Sequence, residues 1–155
     1  MSNYTIYADG YSSPHKHTKA GWAIWIEKDS HYLASYIHAI DPLATNNEAE
    51  LHGLINALRH ALALKQAQVR INFKAAVVGH PCGISVQIRG DSQLATGLVN
   101  GTKHTKIKRL AILARYGKRL YNRLLIQTGG NSGIYWIPRE DNKAGHLIER
   151  TNHNG

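Results

Sequence analysis

Acidic side chains at the ends of predicted strands are the residues of this sequence best suited to chemistry. Asp9 ends the apolar segment NYTIYAD, and Asp91 ends the segment SVQIRGD. Carboxylates at the ends of neighbouring strands can converge, and such a group of like charges is stable only when cations bind to it. Oxygen ligands select hard divalent ions such as Mg²⁺ or Mn²⁺, and two such ions about 4 Å apart can hydrolyse a phosphodiester. Considered one at a time, both residues also have a structural interpretation, since Asp is common at turns and helix caps.

A third carboxylate and a histidine are candidates to complete such a site. Glu48 and Glu50 lie on a predicted helix, each roughly 80° from its apolar stripe, so helical periodicity does not choose between them. Near the C-terminus, the stretch REDNKAGHLIE begins another predicted helix with Asn142 as its N-cap. It places His146 among three acids, and a neutral imidazole can also bind a divalent metal. These acids are Glu140, Asp141 and Glu149.

The chain carries a formal net charge of +9, and the positive charge is concentrated in one region. No Asp or Glu occurs between Asp91 and Glu140. A surface of this kind attracts polyanions, of which nucleic acid is the commonest, although a solvated helix face would have the same composition. The basic residues of this region are Lys103, Lys106, Lys108, Arg109, Arg115, Lys118, Arg119, Arg123 and Arg139.

Length and composition exclude several classes of protein. With 155 residues, 43% of them hydrophobic, the chain is expected to form a single domain over residues 1–155. Its one cysteine, Cys82, excludes an internal disulfide framework and a cysteine-based zinc cluster. Neither a long apolar run nor a signal-peptide pattern is present, so we expect a soluble, cytoplasmic protein that does not enter a membrane. A monomer is the default expectation.

Hydrophobic periodicity predicts a sheet covered by helices. The first third of the chain reads as an antiparallel meander of three strands, followed by a long helix. A segment at about 67–83 is interpreted as an insertion or an extra strand before the strand that ends at Asp91. A short helix closed by Gly101 precedes a basic amphipathic helix at about 104–126, and a last strand leads into REDNKAGHLIE. The apolar stripe of the long helix comprises Leu51, Leu54, Ile55, Leu58, Ala61 and Leu62, and that of the basic helix Ile107, Leu110, Ala114, Tyr121 and Leu124.

Four segments together resemble a ribonuclease H type 1 domain. YADGYSS, ATNNEAELHGLINAL, IRGDSQLATGLVNG and IPREDNKAGHLIE occur in the expected order and on the expected elements, over nearly the whole chain apart from the segment after the first helix. The resemblance implies an α/β ribonuclease H-like fold, with a mixed five-stranded sheet of three antiparallel strands and then parallel strands, flanked by helices. It also implies an endonuclease that cuts the RNA strand of RNA/DNA hybrids with two metal ions, leaving 5′-phosphate and 3′-hydroxyl products.

The resemblance assigns the catalytic, metal-binding positions. It places the first acid on Asp9 and the third on Asp91, and the family pattern Thr-Asn-Asn, two residues, then Glu-Leu chooses Glu50 over Glu48. The fourth acid of the family follows Asn by four positions, which here is His146. Replacement of a carboxylate by imidazole removes one negative charge and softens the site, so we expect two ions of Mg²⁺ or Mn²⁺, with Mn²⁺ relatively preferred.

The resemblance also implies contacts to the hybrid. Amide side chains can read the minor groove of a hybrid without demanding a sequence. The implied contacts of the catalytic face are Gly10, Thr45, Asn46, Asn47, Ser92 and Gln93, and those of the basic helix are Lys106, Arg109, Arg115, Lys118 and Arg119. Capping of the long helix is an alternative role for either Asn46 or Asn47.

Two departures from the family keep other functions open. The basic helix lacks the Trp residues of the usual basic protrusion, and the connection IPREDN lacks the histidine that many members carry before the last helix. A junction-resolvase-like DNA nuclease of the same fold and a catalytically silent hybrid-binding module are therefore the alternatives. The amide pair in TNNEAEL argues against the first, and the three retained acids argue against the second.

Overall fold

The computed structural model describes residues 1–12, 20–75 and 83–153 and contains one five-stranded sheet. Its strands are β1 (Ser2–Tyr11), β2 (Gly21–Lys28), β3 (His31–Ala39), β4 (Ile84–Gly90) and β5 (Ser132–Trp136). They lie in the order β3-β2-β1-β4-β5. The pairs β1–β2 and β2–β3 are antiparallel, whereas β1–β4 and β4–β5 are parallel. The mixed sheet predicted from the resemblance is therefore confirmed.

Helices cover both faces of this sheet. They are α1 (Asn46–Ala75), α2 (Gln93–Asn100), α3 (Lys108–Gln127) and α4 (Lys143–His153). Because side chains alternate along a strand, Ile6 and Ala8 of β1 face the main core with α1, α2 and α3. Tyr7 faces the opposite side, where it packs with Ala23 and with Ala144 and Ile148 of α4. The end of β1 is thus enclosed between α1 and α4.

The predicted apolar stripe of α1 is confirmed, but the helix is longer than expected. Its six predicted stripe residues are all buried. Residues 67–75 continue α1, so the interpretation of this part as an extra strand is wrong. The strand-favouring residue Val69 follows Gln66, Ala67 and Gln68, and extending an established helix costs little compared with starting one. Residues 76–82, the rest of the predicted insertion, lie outside the described residues.

The basic helix begins later than predicted. Leu110, Ala114 and Leu124 are buried, and Tyr121 packs partly buried against the core, as expected. Ile107 is 59% exposed, so its predicted place in the stripe is wrong. Ile107 has an extended backbone and precedes the first residue of α3, so the helical periodicity that places the other stripe residues on one face does not apply to it.

Within the part of the chain that the structure describes, no helix combines the length and the apolar composition that a membrane crossing requires.

Candidate active site

Three carboxyl groups from three different elements meet at one end of the sheet. Asp9 is near the end of β1, Glu50 is in the second turn of α1, and Asp91 directly follows β4. The parallel register pairs Ala8 with Gly90, so the next residue of each strand brings Asp9 beside Asp91. One oxygen of each of the three side chains lies within 4.8 Å of the others. Asp9 is 8% and Glu50 7% exposed, so this is an acidic cluster largely withdrawn from water.

Two glycines let α1 come close enough to β1 for Glu50 to reach Asp9. A Cβ on Gly10 would lie 2.2 Å from the carbonyl carbon of Ala49 and from the backbone nitrogen of Glu50. A Cβ on Gly53 would lie 2.9 Å from the carbonyl oxygen of Asp9. Both distances are shorter than any real contact, so a side chain at either position would push the helix away from the strand. The backbone N–H of Gly10 donates to Asp9 Oδ1 at 3.0 Å and to Glu50 Oε2 at 3.2 Å.

Burial and mutual repulsion raise the pKa of two of these carboxyl groups. Loss of water is the largest cause for Asp9, whose pKa rises from 3.8 to about 7; the charge of Asp91 adds to the rise, and hydrogen bonds from Glu50 and Gly10 oppose it. Loss of water is also the largest cause for Glu50, whose pKa rises from 4.5 to about 9 with the charges of Asp9 and Asp91 adding. At neutral pH Glu50 therefore keeps its proton and donates a hydrogen bond to Asp9.

The donor set fits a hard divalent cation. Three carboxyl groups offer only oxygen ligands, which is the preference of Mg²⁺ and Mn²⁺ and not of softer metals. The raised pKa values of Asp9 and Glu50 reflect the cost of placing two buried negative charges beside each other and beside Asp91 without compensation. A bound cation compensates them in place of a proton.

Helical periodicity did not show whether Glu48 or Glu50 is the third carboxylate of the site, and the structure gives the two residues different roles. Glu50 belongs to the cluster, whereas Glu48 closes the start of α1 in a capping box with Thr45. The Glu48 N–H donates to Thr45 Oγ1 at 3.2 Å, and the Thr45 N–H donates to Glu48 Oε2 at 2.8 Å. Arg109 also pairs with Glu48, with Nε 2.8 Å from Oε1. The pattern Thr-x-x-Glu before an apolar run was the available sequence signal for this structural role.

Asn142 joins the acidic cluster to the last helix. Its side chain is fully buried and caps α4, with Oδ1 accepting from the Ala144 N–H at 3.1 Å, so its predicted role as N-cap is confirmed. Its Nδ2 donates to the carbonyl oxygen of Ala8 at 2.9 Å and to Asp91 Oδ2 at 3.1 Å. The sequence pattern predicted the cap but not the contact with Asp91.

A cavity of about 470 Å³ opens over the acidic cluster. The side of this cavity that α4 supplies carries Gly145 and Glu149, which are four residues apart and therefore on one helix face. A Cβ on Gly145 would lie 2.9 Å from Asp9 Oδ2, so the backbone of α4 approaches the cluster directly. Sequence reasoning missed Gly145, and the spacing of Gly145 and Glu149 was its only signal. The lining residues are Asp9, Gly10, Tyr11, Ser12, Asn46, Glu50, Asp91, Ser92, Arg139, Gly145, Ile148 and Glu149.

His146 does not join the group of three carboxyl groups. Among the described residues, that group is the only set of acidic, histidine or cysteine side chains close enough to hold a metal, and His146 does not line the cavity. The histidine is half-buried on α4, one residue beyond Gly145. Its assignment as the fourth metal ligand stays a prediction.

The predicted hybrid contacts of the catalytic face surround the cluster. Asn46 lines the cavity, while Thr45 and Asn47 lie exposed beside it at the start of α1. Ser92 lines the cavity and also caps α2, because its Oγ accepts from the Ala95 N–H at 3.0 Å. The exposed Gln93 lies in a second cavity. The sixth predicted contact, Gly10, is the backbone link between Asp9 and Glu50 described above.

That second cavity is shared by Gln93 and the basic residue Lys103. It measures about 260 Å³ and is lined in part by Gln93, Lys103 and Trp136. Trp136 is 47% exposed, and its Nε1 donates to the carbonyl oxygen of Asp91 at 3.0 Å. Lys103 also lines a third cavity of about 200 Å³, so the two cavities share its side chain.

The basic residues of α3 have different surroundings. Arg115 and Lys118 line the third cavity together with Lys103. Arg109 lies on the opposite side, where its ion pair with Glu48 already engages it. Arg119 and Lys106 are exposed. At about 100° per residue, the basic positions of α3 all lie within the half of the helix opposite its buried residues, as expected of a basic amphipathic helix, with Lys118 at one edge and Arg109 at the other.

Comparison with known proteins agrees with this architecture. A family model described as RNase H matches residues 1–137, so the match ends before α4. The N-terminal RNase H domain of Rv2228c from Mycobacterium tuberculosis, solved as a fusion with maltose-binding protein, is 24% identical with a TM-score of 0.69, over 99% of both chains. RNase H1 from the halophilic archaeon Halobacterium salinarum NRC-1 is 23% identical with a TM-score of 0.63, also over 99% of both chains. LC11-RNase H1, isolated from compost by a metagenomic approach and crystallised with an RNA/DNA hybrid, is 20% identical with a TM-score of 0.57, over 96% of this chain and 99% of that one.

Proposed function

Because the chain belongs to the RNase H family and is a ribonuclease H enzyme, we propose that it hydrolyses the RNA strand of RNA/DNA hybrids at the cluster of Asp9, Glu50 and Asp91. The observation that carries this proposal is the convergence of the three carboxyl groups within 4.8 Å at the floor of an open cavity. Divalent cations held there would activate water and stabilise the leaving oxygen, which leaves a 5′-phosphate and a 3′-hydroxyl.

The residues of the chain hold and orient the reacting groups. Asp9 and Asp91 supply oxygens from adjacent strands, and Glu50 supplies one from the helix that Gly10 allows to approach. Bound cations would compensate the charges of Asp9 and Asp91 in place of the Glu50 proton, which would pass to solvent and leave the Glu50 carboxylate as a ligand. Because the strands and α1 fix these positions in the fold, the site is preorganised.

Recognition of the hybrid rests on the rim of the cavity. The amides of Asn46 and Asn47 and the side chains of Thr45, Ser92 and Gln93 can bond to 2′-hydroxyls, base edges and phosphates without reading a sequence. The compost RNase H1 that shares this fold was crystallised with such a hybrid. We take the same class of substrate for this chain.

The side of α3 that faces α2 carries basic side chains that can bind the phosphates of the hybrid. Lys103, Arg115 and Lys118 line two cavities that share the Lys103 side chain, and Gln93 lines the first of them, so the backbone of a bound hybrid can follow these residues. Removal of two basic side chains that contact phosphates reduces the magnitude of the slope of log affinity against log salt concentration by about two. The double variant Arg115→Ala, Lys118→Ala should show this flatter slope. Arg123→Ala, which removes an exposed charge farther along α3, is the matched control and should leave the slope unchanged.

One cleavage assay tests the proposed function against its alternatives. Labelled RNA/DNA hybrid, double-stranded RNA, duplex DNA and a four-way junction are each incubated with Mg²⁺, Mn²⁺ or EDTA, beside an Asp9→Asn control. Metal-dependent cutting of the hybrid alone, abolished in Asp9→Asn, supports the proposal. Cutting of the junction alone identifies a resolvase-like nuclease, and binding without metal-dependent cutting identifies a silent binding module. Either result refutes the proposal.

A further inference from the structure

Asn142 is placed to control the orientation of a cluster carboxylate without adding a charge to the cluster. It is 0% exposed, and its amide is hydrogen-bonded at both ends. Nδ2 donates to Ala8 O and to Asp91 Oδ2, while Oδ1 accepts from the Ala144 N–H. A buried amide bonded in this way has one stable orientation, because a flip of its ends would place like partners together.

Asp91 needs such a partner more than the other two acids do. Asp9 and Glu50 are fixed by the Gly10 N–H and by each other, and both are largely buried. Asp91 is half-exposed and directly follows the end of β4, before Ser92 begins to cap α2. Among the hydrogen bonds of the described residues, the Asn142 amide is the one donor to its carboxylate.

The start of α4 is itself firmly attached, so Asn142 is a rigid partner. Its backbone N–H donates to the Arg139 carbonyl at 3.1 Å. The next residue, Lys143, pairs with the buried Glu27 of β2, which also accepts from Trp25 Nε1 at 3.0 Å. These contacts tie the first turn of α4 to β2 and to the 3-10 turn that precedes it.

From these contacts we infer that Asn142 is a positioning residue that holds Asp91 in the orientation needed to bind divalent cations. The inference rests on the proposed function, since it concerns the same metal site. It adds a residue that acts through Asp91 and does not itself touch metal or substrate. Removal of a partner of this kind typically lowers metal affinity or activity 10- to 100-fold.

Two substitutions separate positioning from capping. Asn142→Ser keeps an N-cap oxygen but cannot reach Asp91. Asn142→Asp keeps the size and the cap oxygen but replaces the donor with a second acceptor facing Asp91. The matched control is Leu147→Ala, which removes packing of α4 against the smaller core and has no bond to the cluster.

The test is a Mn²⁺ titration of the substrate-free proteins, followed by electron paramagnetic resonance below their melting temperatures. We expect the dissociation constant to rise about 10-fold or more in Asn142→Ser and at least as much in Asn142→Asp, with Leu147→Ala unchanged even if its melting temperature falls. Unchanged affinity in both Asn142 variants, or an equal loss in Leu147→Ala, overturns the inference and leaves the proposed function intact. Failure of the natural protein to bind Mn²⁺ overturns both.

Discussion

The raised pKa of Glu50 predicts that the metal-free protein loses stability as pH rises through the neutral range. Glu50 has a pKa of about 9 in the fold, whereas its ordinary pKa, which applies in the unfolded chain, is 4.5. The folded state therefore holds a proton that the unfolded state releases. Stabilisation by this proton is complete below pH 4.5 and is lost as pH rises toward 9.

The size of the effect follows from one proton. Each pH unit well below the folded-state pKa costs about 1.4 kcal/mol and the slope halves at the pKa itself, so between pH 7 and 9 the free energy of unfolding should fall by about 2 kcal/mol. For a chain of this length that corresponds to a fall in melting temperature of roughly 4–8 °C.

The assay is thermal unfolding at pH 7, 8 and 9 in EDTA, for the natural protein and for Glu50→Gln. The variant keeps the shape of the side chain but has no proton to lose, so its melting temperature should change much less. Mg²⁺ should stabilise the natural protein more at pH 9 than at pH 7, because fewer protons then compete for the carboxyl groups. Superimposable pH profiles for the two proteins, or an equal Mg²⁺ effect at both pH values, would show that the Glu50 proton does not stabilise the fold.

Three further substitutions test the geometry. Gly10→Ala should reduce hybrid cleavage at least 100-fold, because its Cβ would meet α1 at 2.2 Å, whereas Gly83→Ala, with its nearest neighbour at 3.6 Å, should cleave normally. Thr45→Ala should lower stability by about 1 kcal/mol in urea unfolding through loss of the capping box; no loss would show that the box is dispensable. His146→Asp should raise Mg²⁺-supported cleavage relative to Mn²⁺-supported cleavage if the histidine is the fourth ligand. A fall in the Mg²⁺ rate, or superimposable Mg²⁺ and Mn²⁺ curves for the natural protein, would contradict that assignment and direct attention to Glu149, which lines the cavity.

Local rules explain why much of the fold was predictable from the sequence. The strands alternate or are rich in β-branched residues, and Leu51, Leu54 and Leu58 repeat at helical spacing, so burial of one face specifies the element. Gly101 takes φ 88° at the end of α2, a conformation that glycine adopts without strain. Each of these signals depends only on residues that are close together in the chain, so the corresponding strands and helices can be predicted from the sequence.

Residue types and their spacing limit which side chains can meet, and contacts between distant segments then select among them. The local patterns placed Asp9 and Asp91 at strand ends, and the parallel pairing of β1 with β4 brought them together. Local sequence patterns do not predict which polar residue of a helix faces the site. Each residue is rotated by about 100° from the one before, so a shift of one position turns a different side chain toward the site. The packing of α1 against Gly10 turned Glu50 inward, and the packing of α4 placed Gly145 and not His146 against Asp9. Such rotations are set by close contacts between distant segments, which no single stretch of sequence contains.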